Sequence, residues 1–159
     1  MREHLAEKYG TTPEQSDSNR ANMAARGEEL GFEFSFEDGF RMHNTFNTHQ
    51  LLHWANAHDR KHDLKQALFT AHFTNGRDLS DVAVLAEIAA EIGLDRAEAA
   101  AVLRDQRFAV EVRQEQKFWT QQGISGVPAV VFDRQHLVTG AQGVDNYKSM
   151  LNQLQKMRG

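Results

Sequence analysis

The sequence contains no cysteine. Disulfides, thiolate nucleophiles and cysteine-ligated zinc are therefore excluded within these residues. It has only two prolines, Pro13 and Pro128, and eleven glycines, which excludes a collagenous or proline-rich chain. No stretch is apolar over the length that a bilayer span requires. Residues 1–30 lack the apolar core of a secretory signal, so neither a membrane nor an export route is expected. Basic runs and basic stripes with interleaved aromatics are missing too. The 18 basic and 22 acidic side chains leave a net charge of −4, and nucleic acid is not an expected partner. A cysteine-free chain without an export signal fits a reducing compartment, so the expected location is cytoplasmic. No glycine-rich phosphate loop occurs, and no carboxylate pair stands apart for acid–base work.

What is present is mostly helical period. With 159 residues, 40% of them apolar, the chain has the size of a single domain over 1–159 that can bury a real core. Thr12-Pro13-Glu14 reads as a helix start, with Gly31 as its stop. Phe32, Phe34 and Phe36 alternate with polar residues. They read as an extended segment whose aromatics plug a core, rather than as a paired strand. Asn44 can cap a helix over 45–58. A second set, Leu64 to Phe73, stops near Asn75-Gly76. Ser80 is a candidate cap for a helix ending at Gly93, and Asp95 for a helix over 96–104. A further helix runs from about Gln106 to Gln122 and stops at Gly123.

The pattern then changes. Val127-Pro128-Ala129-Val130-Val131-Phe132 is a short β-branched run, and His136 to Thr139 is a second one after a turn, so the pair reads as a hairpin. A last amphipathic helix covers 143–157. An isolated hairpin is marginal and has open edges. Val130, Val131 and Phe132 form a continuous apolar run, as in a strand covered on both faces. Such a hairpin requires a neighbouring strand, and these residues offer no good candidate. No linker or internal repeat is visible.

Gly123 to Phe132, with Pro128 opening the strand, resembles the cis-proline segment of thioredoxin-like proteins. Proline has no N–H for a strand ladder and so belongs at a strand's first position. A trans proline that merely opens a strand is the other reading of the spacing. Further segments, Asn44-Thr45-Phe46-Asn47-Thr48-His49, Leu5 to Gly10, Gly31 to Phe34, Phe73 to Asp78 and Thr139 to Gln142, resemble the FrnE-like branch of the DsbA family. Thr48 replaces a small alanine in that pattern. The resemblance implies an α-rich α/β, thioredoxin-like fold. Residues 12–122 would form the helical insertion, and 123–159 the C-terminal ββα part. It also implies an N-terminal strand–Cys-x-x-Cys–helix–strand unit, which this sequence lacks. That unit holds the family's reactive thiols and the strands beside the hairpin.

The resemblance implies a thiol–disulfide oxidoreductase or isomerase, with no catalytic residue in this chain and redox activity only if the missing unit exists. Val127 and Pro128 would present backbone to a thiol or peptide substrate, and Phe46 and His49 would line the groove nearby. Asn44 is a substrate-binding candidate that also suits a helix cap. A different class of function is a non-catalytic binding module, recruiting a strand from a partner or a second copy through the open hairpin edge. A third is a relative of glutathione-dependent isomerases. No resident cofactor is expected. His49/His53 and His58/His62 have i, i+4 spacing, and His72 or a Glu could add a ligand, but H-E-x-x-H is absent and chance accounts for such pairs. Ser125 lacks the second glycine of a nucleophile elbow. Phe118-Trp119 reads as packing on a helix face.

Overall fold

Thr12 starts helix α1 (Pro13–Glu29) with a reciprocal cap. Its hydroxyl accepts from the Gln15 N–H at 3.2 Å, and the Gln15 side chain accepts from the Thr12 N–H at 2.9 Å. The computed structural model describes residues 12–36 and 43–158, so Leu5 to Gly10 and Asp38-Gly39 lie outside the described residues. Helices α2 (Phe46–Asn56), α3 (Lys61–Phe69), α4 (Val82–Glu91), α5 (Arg96–Arg104) and α6 (Ala109–Gln121) follow. Strands β1 (Ala129–Phe132) and β2 (His136–Thr139) and helix α7 (Val144–Arg158) complete the order. Among the described residues the architecture is thus helix-rich with one small sheet. The chain divides into two compact units, Met1–Val112 and Arg113–Gly159. The division falls inside α6.

In the first unit α4 packs on α5, and α2 packs on α3 and α5. Leu51, Leu64, Leu85, Ile88, Val102 and Leu103 are fully buried there. Each such side chain contributes roughly 1.5–3 kcal/mol on transfer from water. Gln50 is fully buried among them. Its amide donates to Asn47 Oδ1 and Gln106 Oε1, both at 3.1 Å, which ties α2 to the end of α5.

Gly27 in α1 is where the aromatic segment docks. A Cβ there would sit 2.5 Å from the Phe32 carbonyl oxygen and 2.5 Å from the Phe34 ring. Phe34 in turn lies edge-on to Phe32 at 4.8 Å and to Phe73 at 5.5 Å. The Ser35 N–H bonds the Phe73 carbonyl at 2.7 Å. Residues 32–36 are extended and plug aromatics against their neighbours without forming a strand.

Two local expectations are corrected. Asp81, not Ser80, caps α4: its carboxylate accepts from Ala83 N–H at 2.7 Å, while Ser80 bonds Asp78. The helix expected from Gln106 starts at Ala109, because Gln106 is held at φ 51°, outside helical space. The helical run that begins with α3 stops before Asn75 as expected, its last turn widening into a π-turn over Thr70–Thr74. Asp95 caps α5 as its sequence suggests, accepting from Glu98 N–H at 2.7 Å.

Candidate functional site

The second unit is built around the hairpin. Asp133 and Arg134 both take positive φ, 55° and 58°, and the Gln135 N–H closes on the Phe132 carbonyl at 3.0 Å. That is the signature of the left-handed turns that match strand twist. The register pairs Ala129 with Thr139, Val130 with Val138, Val131 with Leu137 and Phe132 with His136. Pro128 sits just before β1, and its carbonyl accepts from Gly140 N–H at 2.9 Å. Bonded and non-bonded pairs alternate in an antiparallel ladder. Ala129 and Val131 therefore turn their backbone N–H and C=O groups to the edge that β2 does not cover. The sheet holds these two strands alone among the described residues.

The Val127–Pro128 peptide bond is cis. The Val127 side chain is 91% exposed. Side chains split across the sheet. Phe132, His136 and Val138 line a recess with Met150, Leu154 and Met157 of α7. Val131 and Leu137 line another with Phe118, Trp119 and Ile124. From Arg113 to Met157 not one described residue is buried. Val144, Leu151 and Met157 on α7 and Phe118 and Trp119 on α6 are exposed. Phe118 and Trp119, read from the sequence as packing on a helix face, are about half exposed, at 53% and 45%. The adjacent aromatics at the end of a polar helix were the available signal for a surface role.

The other expected site residues belong to the first unit. Asn44 Oδ1 accepts from the Phe46 N–H at 2.9 Å, so it stabilises the start of α2 from two residues ahead. Phe46 is half-buried in the first turn, and His49 is exposed. Thr48 is 7% exposed, and its hydroxyl has no hydrogen-bond partner among the described residues. A small apolar side chain suits that position better.

The i, i+4 histidine pairs do not form a ligand set among the described residues. His53 lies against Phe108 at 4.9 Å and His58 against Trp54 at 4.9 Å. Among the described residues no three His, Asp or Glu side chains are arranged to hold a metal ion. His43 Nδ1 meets Asp78 Oδ1 at 2.8 Å, and the His43 and His72 rings are 5.5 Å apart. Burial, and then the charge of His43, push the His72 imidazole below its ordinary value, against the Arg77 backbone and Asp78.

A run of helices followed by a proline-opened antiparallel hairpin and a closing helix defines a helix-rich, thioredoxin-like class. Comparison with known proteins agrees. The model of the DSBA-like thioredoxin domain matches residues 3–152, and the chain belongs to that family. A probable DsbA oxidoreductase from Streptomyces coelicolor is 34% identical with a TM-score of 0.85, over 94% of this chain. The chain spans 64% of that protein's length. The uncharacterized protein YwbO of Bacillus subtilis is 25% identical over 87% of this chain and 70% of its own length. A candidate protein disulfide isomerase from Nitrosomonas europaea, 16% identical, shares the fold with a TM-score of 0.66, over 99% of this chain and 89% of its own.

Proposed function

We propose that these residues are the substrate-presenting part of a FrnE-like thiol–disulfide oxidoreductase or isomerase. The reactive thiols would come from a strand–Cys-x-x-Cys–helix–strand unit outside these 159 residues. The observation that carries this reading is the unfinished second unit. Among the described residues it has an open β1 edge and apolar side chains on both faces of its hairpin, but no buried residue. A unit with strands to add to that edge and a helix to cover a face would complete a core. Family membership and the absence of cysteine support the same reading.

Val127 and Pro128 present backbone to an extended peptide or thiol substrate. Within the first unit, Asn44, half-buried Phe46 and exposed His49 at the start of α2 are the other candidates for substrate binding. No residue of this chain transfers electrons, so the chain alone is redox-inactive. A cytoplasmic location belongs to the proposal and is checked by cell fractionation.

The test is insulin reduction with glutathione as electron donor, measured on this chain and on the protein carrying the proposed thiol unit. Turnover is expected from the second and none from the first. Turnover by the cysteine-free chain would overturn the proposal. The open edge also favours a second reading, a non-catalytic module that pairs with a second copy. Light scattering after size exclusion separates the two: a stable dimer of the 159-residue chain supports the second, a monomer counts against it.

A further inference from the structure

The groove between α6 and the hairpin has a volume of about 430 Å3. That lies within the range of small-ligand sites, roughly 300–1,000 Å3. Its walls are Phe118, Trp119, Ile124, Val131 and Leu137, with the Gln122 and Gln135 amides among the lining. The Phe118 and Trp119 rings meet edge to face, 5.0 Å between centroids and 76° between planes. One charged side chain lines it, Arg134. Among the described residues no carboxylate pairs with that guanidinium. The turn residue that carries it holds a left-handed backbone, φ 58°. An apolar, aromatic-walled recess with a single unpaired cation suits an anion on an apolar body.

We propose that this groove binds a small carboxylate with an apolar body, its chain or ring between Phe118, Trp119, Val131 and Leu137 and its carboxylate on Arg134. A protein partner fits less well. Stable protein interfaces bury on the order of 1,600 Å2, and five apolar side chains around one recess fall far short of that. The site goes beyond the redox reading and rests on it in one respect: the helix that completes the unit covers the other face of the hairpin, where Phe132, His136 and Val138 meet α7. Val131 and Leu137 face the groove from the flat of the sheet, whereas a complementing strand adds in the plane of the sheet at the β1 edge.

The probe is decanoate, below its micellar range, with decanol as the uncharged control. Binding is followed by calorimetry and by Trp119 fluorescence; the other tryptophan, Trp54, is buried in the first unit. Decanoate is expected to bind saturably and to shift Trp119 emission to the blue. Arg134→Gln is expected to weaken it about tenfold, the loss of one charge-assisted hydrogen bond, and Arg134→Lys to restore part of that. Decanol is expected to bind no more tightly to the wild type than to Arg134→Gln. Trp119→Phe is expected to remove the optical signal while the binding heat persists. Circular dichroism confirms that each variant stays folded. Absence of saturable decanoate binding, equal affinity for decanol, or an unchanged Arg134→Gln would each overturn the proposal.

Discussion

Replacing a helical glycine by alanine ordinarily stabilises a protein by up to about 1 kcal/mol, because alanine loses less backbone entropy on folding. At Gly27 the opposite is expected. The new Cβ would stand 2.5 Å from the Phe32 carbonyl oxygen and 2.5 to 2.7 Å from two carbons of the Phe34 ring. The carbonyl is tied to the same residue, since the Phe32 N–H bonds Gly27 O at 2.8 Å, so the backbone there and the ring must both shift. The ring thereby gives up its contacts with Phe32, Phe36 and Phe73. Aromatic pairs are worth about 0.5–1.5 kcal/mol each beyond burial, and overpacking costs about 1–3 kcal/mol. Set against the helix gain, Gly27→Ala should destabilise residues 32–36 by a net of about 2 kcal/mol. The loss is local, so hydrogen exchange is the sensitive assay. The Ser35 amide, bonded to Phe73 O, should exchange roughly thirtyfold faster, by the conversion of 1.4 kcal/mol per tenfold. The amides of α4 and α5 should not change. Asn22→Ala, on an exposed position of the same helix, is the control and should be neutral or slightly stabilising. A Gly27→Ala variant that gains stability in urea and keeps its Ser35 protection would refute the reasoning.

Other perturbations have equally definite outcomes. Thr48→Ala removes a buried hydroxyl without a partner and improves helix propensity, so urea unfolding should show a gain of about 1 kcal/mol. Asp81→Ala should cost about 1 kcal/mol by the same measurement, and Ser80→Ala distinctly less, because Asp81 is the cap of α4. Leu85→Ala should cost about 2–5 kcal/mol, with a matching fall in thermal midpoint, since its side chain is fully buried. The lowered proton affinity of His72 means that the unfolded chain binds more protons there than the folded one. The corresponding stability is complete above the ordinary histidine value of about 6.5. It is lost as pH falls through the lower folded value. Urea titrations below that pH should show the decline, and His72→Gln should flatten it.

The helical frame could be read from caps and stops because those signals are local. Thr12, Asp95 and the glycines at 31, 93 and 123 act through their own backbone or their nearest N–H groups, with no help from distant residues. The hairpin was legible for the same reason, from two β-branched runs about a turn. The π-turn at Thr70–Thr74 and the left-handed Gln106 were not. Both depend on packing and bonds to residues far along the chain, such as the Gln106 link to Gln50 and Asn47. Asp81 and Ser80 are both good capping residues, and only the geometry of the Asp78 turn decides between them. Of the candidate site, Val127 and Pro128 stood out because proline at a strand entry is chemically conspicuous. Asn44 reads as a helix start and serves as one. The groove was missed: aromatic and aliphatic residues in sequence look alike whether a core covers them or not. Val131, Leu137, Phe118 and Trp119 carry the composition of an interior without having one.

The central claim is that the second unit is completed by a thiol-bearing unit outside these 159 residues. It is tested most directly by the intact mass of the endogenous protein, measured before and after reduction and alkylation. A mass several kilodaltons above 18.0 kDa, with alkylation adding to it, is the expected result. A mass of 18.0 kDa unchanged by alkylation would contradict the redox reading and leave the strand-recruiting module in its place.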